Sequence, residues 1–491
     1  LHSKKPECPP GRVVMLQNSI RLVRGEHLQC VQTTTLVVAA NATVYISNKS
    51  AVRLAGLGRG TPLVMTASSS YWGGFVVSGP DSGMSAEWVV FARGGAGRGR
   101  DFVHGHRPEQ PLFMVEHGAS TQLTHAFLIH GIGQAFGARE GARVDLFGVL
   151  VQFWTTGGQF DDATVNISRS YFGGFGDPAK GYDPRTAPVD GDHDGIYTTG
   201  GELHLVDSVV RAAGDDCVDS GSGSGGAVNI VRSLIESCRH EGLALSNDGP
   251  AAKVVLVSET VVRDCQQAVE LGCSVSETRV TLEHVVLVES LVGIRIGDNN
   301  IGCEVAGTVM VQNSVIAGNT MPTIELHRKD WAAPPAATLS IVDSLLQVVP
   351  PAATVSSGAY LLNKLFGKDA AVWQRVGGNA VVDLPATLWQ TFDHTWRLLP
   401  QGNENGLYRA GISYSARGKS VQWDAGAGTS FGTNVGIGNL SLGDRGLRVV
   451  IASPLEGECI ENVAGGTSIR IRLEAVDPSF FGTLSVSLNG V

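Results

Sequence analysis

The chain has 491 residues, enough for several domains or for one long repeat architecture with additions. Its 63 glycines, with charged residues at 17% and aromatics at 7%, fit a glycine-punctuated β protein better than a helical one. The formal net charge of −9 without a long basic run argues against a nucleic-acid partner, and no apolar run reaches the about 18 residues of a membrane-spanning helix.

The opening "LHSKKPECPP" reads as a mature end left by cleavage. Through residue 110 the chain is β-rich without a clear repeat. "TTTLVVAANATVYIS" alternates apolar and polar, and "MTASSSYWGGFVVSG" follows. The best basic cluster, "ARGGAGRGR" at 92–100, reads as a solvated loop.

From about residue 120 a short pattern recurs, in "STQLTHAFLIHG", "ARVDLFGVLVQF", "GELHLVDSVVRA" and "GTVMVQNSVIAG" among others. The second apolar residue of each repeat is Leu123, Leu146, Ile167, Leu205, Ile230, Leu256, Leu282, Val311 and Ile341, giving gaps of 23, 21, 38, 25, 26, 26, 29 and 30. Only the 38 stands out, and it holds the insertion "GGFGDPAKGYDPRTAPVDGD". Leucine-rich repeats share the period but need a fixed Leu scaffold and an Asn ladder, which are absent. The pattern predicts an all-β, right-handed parallel β-helix over 111–365, about three short strands to a coil, in which each coil is stable only against its neighbours. Residues 1–110 become an N-terminal cap and early coils, since an open end of such a helix is a bare sheet edge. Residues 366–446 read as irregular closing coils. Residues 447–491, with strands between Gly and Pro turns, read as the start of an Ig-like β-sandwich.

Four sequons, at Asn41, Asn48, Asn166 and Asn439, and eight cysteines without a CxxC pair fit an oxidising, extracellular compartment. Cys238 and Cys265 occupy one coil position, so a disulfide between them is expected, with the alternative an unbridged cysteine ladder. Cys273 with Cys303, and Cys8 with Cys30, are expected to pair likewise. Cys217 reads as a small core residue, and Cys459 as a partner for a cysteine beyond this segment.

"HDGIY", "DDCVD", "HEGLA" and "QQAVE" fall in one register after the insertion. Asp194, Asp216, Glu241 and Gln267 then form one ladder, His193, Asp215, His240 and Gln266 the next, at about 4.8 Å per step. Asp219 stands beside them, and the acids are expected to face water at a turn. Such acids can bond nearby backbone N–H groups. They can hold calcium, a possible ligand in a chain for which no other cofactor is expected. They can also hydrolyse glycosides as paired carboxyls with a histidine near them.

The stretch 190–247 resembles the polygalacturonase family of β-helix glycoside hydrolases, through "DHDG" at 192–195, "GDDC" at 214–217, "RHEG" at 239–242 and "GIRIG" at 293–297. The resemblance implies that Asp194 and Asp216 activate water, Asp215 is the general acid, His240 assists and Arg295 holds a uronate carboxylate. The Asp spacing matches, whereas Asp-His stands for the family's Asn-Thr and Gly297 for its Lys. Residues 120–345 are also similar to secreted β-helix-repeat proteins of the pectin-lyase-like superfamily that carry "DGI…GDD.VD…EGL" edges. On that likeness the protein is a secreted glycoprotein, a rigid rod in a cell-surface, wall or appendage assembly. Its partners are then glycans, other extracellular proteins or copies of itself. The alternative is the polysaccharide hydrolase.

Overall fold

A computed structural model describes residues 8–347 apart from short stretches, chiefly 97–107, 185–190, 318–323 and 328–336, and beyond 347 only separate strands. Three long sheets of 14, 13 and 13 strands run the length of the described chain, and each sheet takes every third strand in sequence. The first sheet opens with Val13–Leu16, the second with Ile20–Leu22 and the third with His27–Val31. Val13–Leu16 pairs in parallel with Thr35–Val38, the equivalent strand one coil later. Neighbours are parallel throughout, save for one antiparallel pair at the far end of the second sheet. This is a parallel β-helix, and its coils begin at Val13, inside the stretch without a visible repeat.

The alternation that marks the repeat is the inside–outside alternation of the third sheet. Leu123, Leu146, Ile167, Leu205 and Ile230 pair in sequence, and all are buried. One predicted marker is off by a residue. Ile230 pairs with Val257, not Leu256, and Val257 then pairs with Leu282. In "KVVLV" every residue after the lysine is apolar, so composition cannot fix the phase, and a slip of one exchanges the faces. Val254 and Leu256 therefore face outward, while Lys253 is drawn inside.

The corners explain how short strands close into coils. Before each return to the first sheet sits a left-handed residue, Arg169 (φ 49°), Asp207 (50°), Arg232 (48°) or Glu259 (49°). A hydroxyl follows each: Ser170, Ser208, Ser233 and Thr260. Each hydroxyl donates to the carbonyl two residues back and accepts a backbone N–H from the previous coil. For Ser233 these are Val231 O at 3.0 Å and Ser208 N at 3.3 Å. The ladder satisfies buried polar groups that the turn leaves open and so offsets the cost of non-glycine left-handed backbone. Inside, aromatic rings stack along the axis: Phe113 lies 5.3 Å from Phe75 and 5.5 Å from Phe136.

Disulfides join Cys8 to Cys30 and Cys273 to Cys303, as expected. The expected Cys238–Cys265 bond is replaced by Cys217–Cys238, and Cys265 is a buried free thiol. Cys238 does lie over Cys265, because Glu236 pairs with Arg263 two residues earlier. The bond instead crosses the corner diagonally, where the Cα atoms of Cys217 and Cys238 are 5.4 Å apart, within disulfide reach. Cys459 lies outside the described residues. The described strands beyond residue 411 form two three-stranded antiparallel sheets, and the Ig-like expectation for 447–491 falls mostly outside the described residues. No helix among the described residues is long and apolar enough to cross a membrane.

Candidate functional site

The site is built on five consecutive strands of the second sheet, Ile196–Thr199, Val218–Ser220, Glu241–Asn247, Gln267–Ser274 and Val292–Ile296. Ile196, Val218, Leu243, Val269 and Ile294 pair in order and fill the core. The next residue along each strand therefore points outward: Tyr197, Asp219, Ala244, Glu270 and Arg295, followed by Glu325. At the corner before these strands, Gly195 N donates to Asp216 O at 2.8 Å and Cys217 N to Glu241 O at 3.0 Å. That register stacks Asp194, Asp216, Glu241 and Gln267, as read from the sequence, with Glu241 directly paired to Gln267.

The acids reach across coils. Asp194 Oδ1 accepts the Asp216 N–H at 3.3 Å, and Asp216 Oδ1 accepts the Glu241 N–H at 2.7 Å. Asp215 Oδ2 accepts the Asp192 N–H at 2.9 Å, which ties the end of the insertion to the corner. His240 Nδ1 sits 3.6 Å from both Asp215 Oδ1 and Asp216 Oδ1 and also meets Glu241 Oε2. Arg295, two coils above His240, contacts Glu270 and lies 3.5 Å from Glu241 Oε1. His193 Nδ1 lies 3.0 Å from Thr155 O.

The acids do not stand in open water, contrary to the sequence expectation. Asp194, Asp215, Asp216, Glu241, Glu270 and Arg295 are all buried, and His240 is the most exposed of the group at 8%. One flank is the insertion, which holds a short 3-10 turn at Pro178–Lys180. Its Tyr182 hydroxyl donates to Gly131 O at 2.8 Å, and Pro184 O accepts from Arg239. The other flank carries the Cys273–Cys303 disulfide, with Asp298 Oδ2 accepting from Cys273 N at 3.1 Å.

Burial sets the proton affinities. Desolvation, then the neighbouring Glu241, Asp215 and Asp219, hold the Asp216 carboxyl well above the ordinary range. Glu241 is raised in the same way by burial and by Glu270, and Glu270 is raised by burial against the pull of Arg295. A cluster of carboxyls with raised proton affinities beside an imidazole is an arrangement suited to acid–base chemistry.

Asp215, Asp216 and His240 bring their ligand atoms within 4.8 Å of one another, so they can also close on a cation. One imidazole nitrogen with carboxylate oxygens suits a borderline metal better than calcium, which takes six to eight oxygens. The Asp194–Asp215–Asp216–His240 constellation was readable as a ladder. Glu270 and Tyr197 were not read as part of it, although both stand in the quoted blocks. The signal was their place three residues beyond the ladder, each directly after an inward-facing apolar residue, Ile196 or Val269.

No protein-family model and no curated protein matches the chain. Among solved structures it is similar to the periplasmic alginate epimerase AlgG, at 10% identity and a TM-score of 0.38, over 68% of this chain and 79% of that one. It is similar to a mannuronan C-5 epimerase A-module from Azotobacter vinelandii, at 12% identity and a TM-score of 0.32, over 73% and 91%. The Dettilon tailspike protein is a third, at 12% identity and a TM-score of 0.32, over 75% and 59%. These likenesses concern the β-helix fold alone.

Proposed function

We propose that this protein is a secreted, carbohydrate-active β-helix whose buried carboxyl–imidazole corner carries out acid–base chemistry on a glycan. The observation that carries the reading is the geometry of the corner, where the buried Asp215, Asp216 and Glu241 carboxyls close around the His240 imidazole. A carboxyl whose proton affinity is raised by burial can protonate a glycosidic oxygen, and a neighbouring carboxylate can activate water. In this reading Asp216 is the acid, because burial raises it. Asp215, across the imidazole of His240, serves the water. Arg295 orients Glu241 and Glu270. The three disulfides among the described residues support an oxidising compartment.

A second reading is the rigid, adhesive rod. It is favoured by the bonds in which Asp194 and Asp216 staple one coil to the next. The two readings separate on Asp215→Asn. Polysaccharides are incubated with the protein, and new reducing ends are measured. The acid–base reading expects release by the wild type, loss of at least about a hundredfold in the variant and an unchanged melting temperature. No release from any acidic, neutral or basic polymer leaves the rod.

A further inference from the structure

We infer that the glycan this corner takes carries free amino groups, so that the ligand is a cationic hexosamine polymer and not a polyuronate; the inference rests on the acid–base reading above.

The charge around the corner is one-sided. Asp215, Asp216, Asp219, Glu241, Glu270 and Glu325 are gathered there, and every one is buried. The cations near them are already engaged. Arg295 holds Glu241 and Glu270. Arg239 donates to Pro184 O at 3.0 Å. The Lys253 ammonium sits inside the coil, donating to Ser220 O at 3.2 Å, Ser220 Oγ at 2.9 Å and Gly221 O at 3.1 Å, and to Ser246 O. A polyuronate would bring a carboxylate into this field of six acids, where the Arg295 guanidinium is already paired with two of them and has only its buried Nε without a hydrogen-bond partner, and like charges brought together at low dielectric repel strongly.

The donor–acceptor balance points the same way. Ionised carboxylates only accept hydrogen bonds. Gln267, stacked over Glu241, adds a buried side-chain oxygen, Oε1, that has no hydrogen-bond partner. A buried acceptor without a donor is costly, and an ammonium brings three donors and a positive charge together.

The test is calorimetric titration of the full chain with chitosan oligosaccharide, with the fully N-acetylated oligosaccharide of the same length, and with an oligogalacturonate. The first two differ only in charge on nitrogen. The free-amine ligand is expected to bind about tenfold or more tighter than the acetylated one, a gap that narrows as salt is raised. Asp219→Asn is expected to weaken the free-amine ligand about three- to tenfold and leave the acetylated one unchanged. Equal or tighter binding of the acetylated ligand or the oligogalacturonate overturns the inference and leaves the acid–base reading standing. No binding of any of the three overturns the inference, and the reducing-end assay decides the acid–base reading separately.

Discussion

At the residue scale the acids at the corner serve two ends, and pH separates them. Asp216 and Glu241 have folded proton affinities well above the ordinary values of 3.8 and 4.5. The folded state therefore binds more protons than the unfolded state in the window above those values. Stability falls as pH rises through it. Melting followed from pH 4 to 8 is expected to show that slope, and Asp216→Asn, neutral at every pH, is expected to flatten it. Asn still offers an acceptor to the Glu241 N–H, whereas Asp216→Ala leaves it unpaired and is expected to cost about 1–3 kcal/mol. His130 works with the opposite sign. Burial against Phe153 and Tyr182 holds it at about 4, so its contribution is lost as pH falls below 6.5. The sequons also divide at this scale. Asn41 and Asn48 are exposed at turns, while Asn166 is half-buried in a strand with its Nδ2 donating to Asp145 Oδ1 at 2.8 Å. Glycans are expected on Asn41 and Asn48 in a eukaryotic host, and glycosidase treatment followed by peptide mass analysis checks the positions. Asn439 lies outside the described residues. The ladder of acids was legible because each acid precedes an apolar pair at a fixed offset. Their burial was not, because one flank comes from an insertion that shares no period with the coils.

At the element scale the coil is held by its corners as much as by its strands. The left-handed residue and the following hydroxyl recur without one conserved side chain at the first position, which is why only the apolar marker was visible in the sequence. Ser233 is fully buried, and its hydroxyl is the acceptor for the Ser208 N–H. Ser233→Ala is expected to cost about 1–2 kcal/mol, through a buried N–H left without an acceptor. Ser233→Thr, which keeps the hydroxyl and has its counterpart at Thr260 one coil later, is expected to cost less. Urea unfolding of both variants measures the difference, and an equal loss would assign the effect to volume and not to the bond. The cysteines teach the same lesson about corners. Stacking in register was readable from spacing, but a corner also brings together residues four positions out of register, and one such diagonal, Cys217–Cys238, carries the bond.

At the scale of the whole molecule the architecture was legible because one period and one alternation persist for more than two hundred residues, so local errors of phase, as at Leu256, leave the topology intact. The same regularity makes stability nearly one-dimensional, since each coil touches only those above and below it. Phe113 tests this. It is fully buried, stacked between Phe75 and Phe136 and edge-on to Phe91 at 5.1 Å. Phe113→Ala removes a ring from the axial stack and leaves a cavity, at a cost of about 3–5 kcal/mol. In native-state hydrogen exchange that cost is expected to fall on the flanking strands Gly74–Ser78 and Gln134–Arg139, with exchange faster by roughly a hundredfold or more. Val292–Ile296, seven coils further along the second sheet, is expected to keep its protection, because the intervening coils retain their own contacts and the Cys217–Cys238 bond lies between the two regions. Equal acceleration at both ends would mean that the coils open together as a single cooperative unit.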